Sequence, residues 1–116
     1  MNLPELTQAL RQFRDERNWA QFHTLRNLIV SLNLEAAELL ELTQWKSEEE
    51  MLGISGEALR DECADVLLYL LLIADKAGIN LEEAARNKLK KNAAKYPVEK
   101  SYGSSRKYTQ LDLRED

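Results

Sequence analysis

Two pairs of acidic residues interrupt the most apolar, helix-forming parts of this 116-residue chain. Glu35 and Glu38 form the first pair, and Glu62 and Asp65 form the second pair. Residues three positions apart lie about 60° from each other around a helix, so each pair faces one way. Four carboxylates set among leucine, isoleucine and valine repel one another and are costly to remove from water. The chain must therefore fold so that something offsets this charge.

A hard divalent cation would offset that charge. Oxygen-only ligand sets suit Mg²⁺ or Mn²⁺, and Mg²⁺ held by few carboxylates usually binds substrate phosphates as well. A di-iron centre of the ferritin type uses Glu-x-x-His pairs, but neither acidic pair contains the single histidine, His23. An ordinary solvated helix surface is the other alternative, and the apolar residues on both sides of each pair argue against it. We therefore predict a Mg²⁺ site, with Mn²⁺ as a substitute.

The chain is predicted to be all-α, because strand-like alternation of apolar and polar residues is absent. Pro4 suits the first turn of a helix, Gly78 suits a helix end, and Asn80 begins a capping box. We expect one helical domain over residues 1–97 and a polar tail over residues 98–116. The predicted helices cover residues 3–17, 24–45, 57–77 and 81–96.

The second and third predicted helices are apolar on nearly all sides. A narrow polar strip on the second helix comprises Asn27, Ser31, Glu35, Glu38 and Trp45. On the third helix, Glu62, Asp65 and Tyr69 share one face. A helix that is apolar nearly all round is buried on more than one side. In so small a chain, this pattern predicts a subunit interface in addition to an internal core.

The fourth predicted helix combines an apolar stripe with a polar centre. Asn92 falls in the middle of the stripe, Lys88 and Lys95 flank it, and Lys91 lies farther round. A buried amide needs a hydrogen-bond partner. The lysines could reach phosphate oxygens near a metal ion, although a solvated lysine face is the ordinary alternative.

Composition limits the compartment and the partners. The net charge of −4 argues against binding to nucleic-acid polymers. A single cysteine, Cys63, leaves no disulfide framework and is typical of a reducing compartment. The N-terminal residues lack a signal-peptide core, and the most apolar run is too short to span a bilayer. These features predict a cytoplasmic, soluble protein without a membrane partner.

The acidic pairs, EAAE and ECAD, resemble the signature of the MazG-like all-α nucleoside triphosphate pyrophosphohydrolases. Four segments are similar to the dCTP pyrophosphatase branch of that family. The resemblance covers nearly the whole chain, and it implies a four-helix MazG-like bundle assembled as a homodimer or a dimer of dimers, with sites formed between chains. The four segments are RNWAQFHTLRNL at residues 17–28, QWK at 44–46, KLKKNAAKYP at 88–97 and SRKYTQL at 105–111.

The resemblance also implies roles for particular residues. It implies a Mg²⁺ site at Glu35, Glu38, Glu62 and Asp65. Stacking alone accepts any base, so selectivity requires polar groups at the edge of the base. Asn27 and His23 are our candidates for these groups. The implied nucleobase pocket is lined by Trp19 and Trp45, and the resemblance also implies that His23 and Tyr69 bind substrate. The implied substrate-facing residues of the fourth helix are Lys88, Lys91, Asn92, Lys95 and Tyr96.

The resulting expectation is an enzyme of dNTP-pool control or house-cleaning. It would hydrolyse dCTP or a modified dCTP to the monophosphate and pyrophosphate, with Glu35 or Glu38 orienting or deprotonating the attacking water. The segment SEEEMLGIS at residues 47–55 is shorter and more acidic than in the dCTP pyrophosphatase branch, which could alter base selectivity. The alternative is a non-catalytic helical module that binds metal or a basic protein.

Overall fold

The computed structural model describes residues 1–54 and 56–113, and every regular element within those ranges is helical. This confirms the predicted all-α class. Two 3₁₀ turns, Ala20–Phe22 and Tyr108–Leu113, accompany the α-helices. The α-helices are α1 (Leu3–Glu16), α2 (Leu25–Glu41), α3 (Glu48–Met51), α4 (Gly56–Ala77), α5 (Leu81–Lys95) and α6 (Val98–Ser101).

The helices begin where the sequence offers capping side chains. The side chains of Asn2, Thr24 and Asn80 accept hydrogen bonds from backbone N–H groups three residues later, at α1, α2 and α5 respectively. Each bond satisfies one of the N–H groups that a helix start leaves without an internal partner. The predicted starts of these three helices are therefore close to the observed ones.

The second helix ends four residues earlier than its predicted end at Trp45. Thr43 Oγ1 donates a hydrogen bond to the carbonyl of Leu40 (2.7 Å), and the following backbone bonds span three residues rather than four. Threonine side chains that bond to the backbone compete with the helical pattern in this way. Trp45 then adopts a positive φ of 63°, which is incompatible with continuing the α-helix.

The first compact unit covers residues Met1–Ile79. Helices α2 and α4 form its main packing contact, and α1 packs against α4. Its buried hydrophobic side chains are Leu28 of α2 and Leu71, Leu72 and Ala74 of α4. The Arg11 guanidinium forms an ion pair with Asp75, and Arg14 lies 3.9 Å from the same carboxylate. The carboxylate therefore ties α1 to α4.

The second compact unit begins at Asn80 and contains α5, α6 and the second 3₁₀ turn. The rings of Tyr96 and Tyr108 meet edge to face, with their centroids 6.1 Å apart, and Lys95 Nζ lies 4.9 Å from the Tyr108 centroid. The predicted polar tail thus contains short helical elements, and its residues 114–116 lie outside the described part. No helix in the described ranges is long and apolar enough to cross a membrane.

Candidate active site

Helices α2 and α4 bring the two acidic pairs together. Glu35, Glu38, Glu62 and Asp65 each offer a carboxylate oxygen, and these four atoms all lie within 4.8 Å of one another. One oxygen of Glu35 and one of Glu62 are buried without a hydrogen-bond partner. Partnerless carboxylate oxygens gathered this closely suit a hard divalent cation, since such cations bind oxygen donors and offset their charge. The cluster could therefore hold a metal ion.

The electrostatics of the cluster reflect the mutual repulsion of its members. Burial, followed by the neighbouring Glu38 carboxyl, raises the pKa of Glu35 to about 7. Burial and the charge of Glu38 also raise the pKa of Glu62. Both shifts have the direction expected for carboxylates that lack a positive partner. Without a cation, the cluster therefore retains protons that isolated glutamates would lose.

An open aromatic pocket of about 220 Å³ is lined by residues of α2, of α4 and of the link between α1 and α2. This volume is below the roughly 300–1,000 Å³ of pockets for drug-sized ligands, so it suits one ring system better than a whole nucleotide. Three aromatic side chains, three polar side chains and one leucine form its lining. The lining residues are Trp19, Phe22, His23, Asn27, Leu28, Ser31 and Tyr69.

Local hydrogen bonds hold the short link between α1 and α2 against the start of α2. The Asn27 side-chain amide donates to the carbonyl of Phe22 (3.0 Å), and the Asn27 backbone N–H donates to Thr24 Oγ1 (3.1 Å). The 3₁₀ turn Ala20–Phe22 closes through a bond from the His23 N–H to the carbonyl of Ala20 (3.1 Å). These bonds set Phe22 and His23 beside Asn27 at one end of the pocket.

His23 lines the pocket and also carries a buried polar atom. Its Nδ1 is buried and has no hydrogen-bond partner. Burial, followed by the positive charge of Arg14, lowers the pKa of His23 below its ordinary value of 6.5. The imidazole is therefore largely neutral at pH 7.

The predicted substrate-binding residues divide into three groups. Trp19, His23, Asn27 and Tyr69 line the pocket, whereas Trp45 lies outside it and is 91% exposed. The five residues predicted on the fourth helix belong to the second compact unit. Of these, Lys88, Lys91, Asn92 and Lys95 lie on α5, and Tyr96 follows its last turn.

Three pocket residues were not among the predicted site residues: Phe22, Leu28 and Ser31. A signal for Ser31 was present, because it lies one turn after Asn27 on the polar strip of α2. Phe22 is adjacent to His23 in the aromatic link. Leu28 follows the apolar pattern of an ordinary core residue, and its buried side chain forms part of the pocket wall.

The chain is similar to known proteins over most of its length. The MazG-like family matches residues 30–111 of the chain. The dCTP pyrophosphatase 1 of Rattus norvegicus is 40% identical over 114 residues, which cover 94% of this chain and 67% of that protein. The human protein of the same name is 39% identical over 115 residues, with the same coverage.

A solved structure is also similar. The crystal structure of a pyrophosphatase from Archaeoglobus fulgidus has a TM-score of 0.76 to this chain and is 47% identical. The match covers 81% of this chain and 91% of that one. The protein therefore belongs to the MazG-like family, as the acidic pairs and the flanking segments predicted.

Proposed function

We propose that this protein hydrolyses dCTP or a modified dCTP to the monophosphate and pyrophosphate, in a Mg²⁺-dependent reaction that controls the dNTP pool or removes modified nucleotides. One observation carries the proposal: an aromatic pocket and a four-carboxylate cluster lie side by side on α2 and α4. The names of the relatives support the same activity. A non-catalytic metal-binding module would have no use for the aromatic pocket.

The spacing between pocket and cluster suits a nucleotide. On α2, Ser31 and Asn27 precede Glu35 by four and eight residues, which is about 6 and 12 Å along a helix. On α4, Tyr69 follows Asp65 by four residues, so the two helices run antiparallel past the same two regions. A nucleoside triphosphate also separates its base from its phosphates, by one sugar. The base would occupy the pocket, and the phosphates would lie at the carboxylates.

The pocket offers stacking surfaces and a specific polar edge. Trp19 and Tyr69 present rings to a base, but stacking alone accepts any base. Because the Asn27 amide NH₂ group donates to the carbonyl of Phe22, its oxygen is left to accept a hydrogen bond from a ligand. Cytosine carries a donor amino group, N4–H₂, whereas thymine carries the acceptor O4 in its place. An accepting Asn27 oxygen would therefore favour cytosine over thymine.

The carboxylates and lysines supply the chemistry of the proposed reaction. When bound, Mg²⁺ or Mn²⁺ would neutralise phosphate oxygens and lower the pKa of a water molecule. Glu38 or Glu35 orients the attacking water and accepts its proton as the new bond to the α-phosphorus forms. The bond between the α-phosphorus and the bridging oxygen breaks, and pyrophosphate leaves. The family resemblance implies that Lys88, Lys91 and Lys95 offset the charge on the leaving group and that Asn92 and Tyr96 bind substrate.

Self-association as a homodimer or a dimer of dimers is part of the proposal. Large apolar side chains of α2 remain 41–68% exposed in the single chain, at Leu25, Ile29, Val30, Leu34 and Leu40. Contiguous apolar surface of this kind marks an interaction site. Trp45 is almost fully exposed, and in an assembly it could serve as the second aromatic wall for a base held by another copy.

The decisive experiment is a panel of canonical and modified dNTPs assayed with Mg²⁺, with Mn²⁺ and with a chelator. We expect the fastest turnover on dCTP or a modified dCTP, no turnover with the chelator, and pyrophosphate as the first product. In ¹⁸O-labelled water, the label should enter the monophosphate because water attacks the α-phosphorus. Label in pyrophosphate, or orthophosphate as the first product, would contradict the proposed reaction.

A further inference from the structure

We infer that Phe13 and Asn18 are positioning residues that hold the Trp19 indole in place at the aromatic pocket. Neither residue lines the pocket itself. The inference rests on the proposed function, in which Trp19 stacks on the nucleobase. It adds two residues outside the pocket that immobilise the Trp19 indole before a nucleotide binds.

The backbone at the end of α1 fixes where Trp19 begins. Asn18 has a φ of 55°, in the left-handed region that few residues other than glycine adopt. Its N–H donates to the carbonyl of Asp15 (3.0 Å), and the N–H of Trp19 donates to the carbonyl of Arg14 (3.0 Å). These two bonds form a Schellman motif, which closes a helix and reverses the chain direction. The left-handed residue therefore determines the direction in which Trp19 leaves the helix.

Side-chain contacts then fix the indole. The rings of Phe13 and Trp19 meet edge to face, with centroids 5.7 Å apart and planes at 75°. The guanidinium carbon of Arg17 lies 3.7 Å from the Phe13 centroid, and Arg17 Nη1 donates to the Phe13 carbonyl (2.9 Å). Contact between the residue after the left-handed position and the last turn of the helix is a common part of this motif. Phe13 thus lies between a cation and the indole.

The solvent exposure of Phe13 and Trp19 shows why these contacts are needed to hold the indole. Phe13 is 48% exposed and Trp19 is 43% exposed, so core packing alone does not hold either ring. A free indole would lose rotamer freedom when a base stacked on it, and that loss would weaken binding. Holding the indole in advance through Phe13 and Asn18 removes this cost. The effect should appear mainly in KM, because the base is remote from the bond that breaks.

Two pairs of substitutions separate positioning from general damage. Phe13→Leu removes the ring, whereas Phe13→Tyr keeps it; Asn18→Ala penalises the left-handed backbone, whereas Asn18→Gly relieves it. We expect Phe13→Leu and Asn18→Ala each to raise KM for dCTP about fivefold, the factor that roughly 1 kcal/mol produces. Their kcat should change less than about twofold. Phe13→Tyr and Asn18→Gly should keep the KM of the unsubstituted protein.

Gly78 provides a matched control at the end of α4. It has a φ of 69°, its N–H donates to the carbonyl of Asp75 (3.4 Å), and the N–H of Ile79 donates to the carbonyl of Ala74 (2.8 Å). Gly78→Ala therefore penalises the same motif at a helix end that does not carry Trp19. This variant should lose stability without a change in the immobilisation of the Trp19 indole. An equal loss of indole immobilisation in Gly78→Ala and Asn18→Ala would overturn the positioning role.

A spectroscopic readout tests the inference separately from catalysis. In a Trp45→Phe background, Trp19 is the only tryptophan, and the indole band of the near-ultraviolet circular dichroism spectrum reports its immobilisation. We expect Phe13→Leu and Asn18→Ala to weaken this band, and Phe13→Tyr, Asn18→Gly and Gly78→Ala to retain it. A band unchanged in Phe13→Leu and Asn18→Ala overturns the inference. Lack of dCTP turnover beside the expected spectral changes overturns only the proposed function.

Discussion

The four carboxylates of α2 and α4 differ in how much water can reach them. Glu35 and Glu62 each bury one oxygen without a partner, while Glu38 is exposed. Burying a charge without an opposite charge destabilises the folded protein in the absence of metal. The cluster therefore lowers the stability of the metal-free protein while it provides ligands for a cation. This loss of stability leads to two predictions about single residues.

The first prediction is that Glu38→Gln abolishes turnover but does not damage the fold. Loss of a ligand or a general base should lower kcat/KM about 100-fold or more. Stability without metal should be unchanged or higher, because one repelling charge is gone. Activity assays and thermal unfolding in a chelator measure the two effects. Glu41→Gln, one turn later on the same helix, is the control, and full activity of Glu38→Gln would disprove the site assignment.

The second prediction concerns pH. In a chelator, the pKa of Glu35 is about 7 in the folded protein and ordinarily 4.5, so the folded state binds more protons between these values. This contribution to stability is complete below 4.5 and is lost as the pH rises through 7. Tm in a chelator should therefore be lower at pH 8 than at pH 6. Adding Mg²⁺ should cancel the difference because a cation stabilises the ionised carboxylates.

Glu35→Gln should reduce this pH dependence in the chelator, whereas Glu82→Gln on α5 should leave it unchanged. If the Tm of the unsubstituted protein is equally high at both pH values without metal, burial does not raise the pKa of Glu35. The experiment needs no substrate, so it tests the electrostatics of the cluster independently of the proposed reaction.

At the scale of elements, the contact between α1 and α4 has a defined polar component. Asp75 accepts a hydrogen bond from Arg11 Nε (2.9 Å), and Arg14 lies beside it. The bond to Arg11 holds the pKa of Asp75 below its ordinary value of 3.8. Tyr69 lies on α4, and Trp19 follows the end of α1. The contact between these helices therefore links the two elements that position Trp19 and Tyr69 at the pocket.

The third prediction is that Asp75→Asn lowers the free energy of unfolding by about 1 kcal/mol at pH 7, the upper end for partly exposed pairs. Because the pKa of Asp75 is lowered on folding, its contribution is present above pH 3.8 and is lost as the pH falls. Urea unfolding at pH 7 and at acidic pH measures this. The Asp15→Asn variant, whose carboxylate is 58% exposed, should change stability less. Equal effects would mean that Asp75 has no special role.

At the scale of the whole molecule, a single chain leaves large apolar side chains of α2 and α4 exposed to water. Leu34 and Leu40 of α2 are 62% and 68% exposed, and Leu67 and Leu70 of α4 are more than one-third exposed. Leaving such side chains in water forfeits the free energy that their burial would provide. A second copy that covers α2 would recover it, which is why we propose self-association.

The fourth prediction is that Leu34→Glu shifts the protein toward monomers. A charge placed within an apolar interface must be desolvated, which opposes association. Light scattering at micromolar concentration should give multiples of 13.4 kDa for the unsubstituted protein and a smaller species for the variant. Leu52→Glu, at an 88% exposed leucine outside α2, is the control. A fully active monomer of the unsubstituted protein would refute the proposed assembly.

The fifth prediction tests whether Trp45 serves a site on another copy. Trp19→Ala and Trp45→Ala should each raise KM for dCTP by about fivefold or more, since a lost base stack costs roughly 1–3 kcal/mol. If one copy supplies Trp19 and the other supplies Trp45, a mixed dimer contains one intact site and one doubly damaged site. Mixing the variants under subunit exchange should therefore restore a low-KM component. No restoration in verified mixed dimers would exclude a site shared in this way.

The sequence alone determined the class of fold and the identity of the charged site. Helices were predictable because capping residues and helical periodicity are local properties, encoded within a few positions of one another. The i, i+3 spacing already set Glu35 beside Glu38 and Glu62 beside Asp65. The family resemblance, since confirmed, added the expected function.

Tertiary structure decided what distant parts of the chain do together. Only the antiparallel packing of α2 on α4 brings the two acidic pairs within 4.8 Å and sets Tyr69 opposite Asn27. The early end of α2 leaves Trp45 outside the pocket, and the left-handed turn at Asn18 brings Trp19 to it. Periodicity describes faces of helices, whereas the orientation of a side chain beyond a helix end depends on backbone dihedrals and long-range contacts. Those are set when the helices pack.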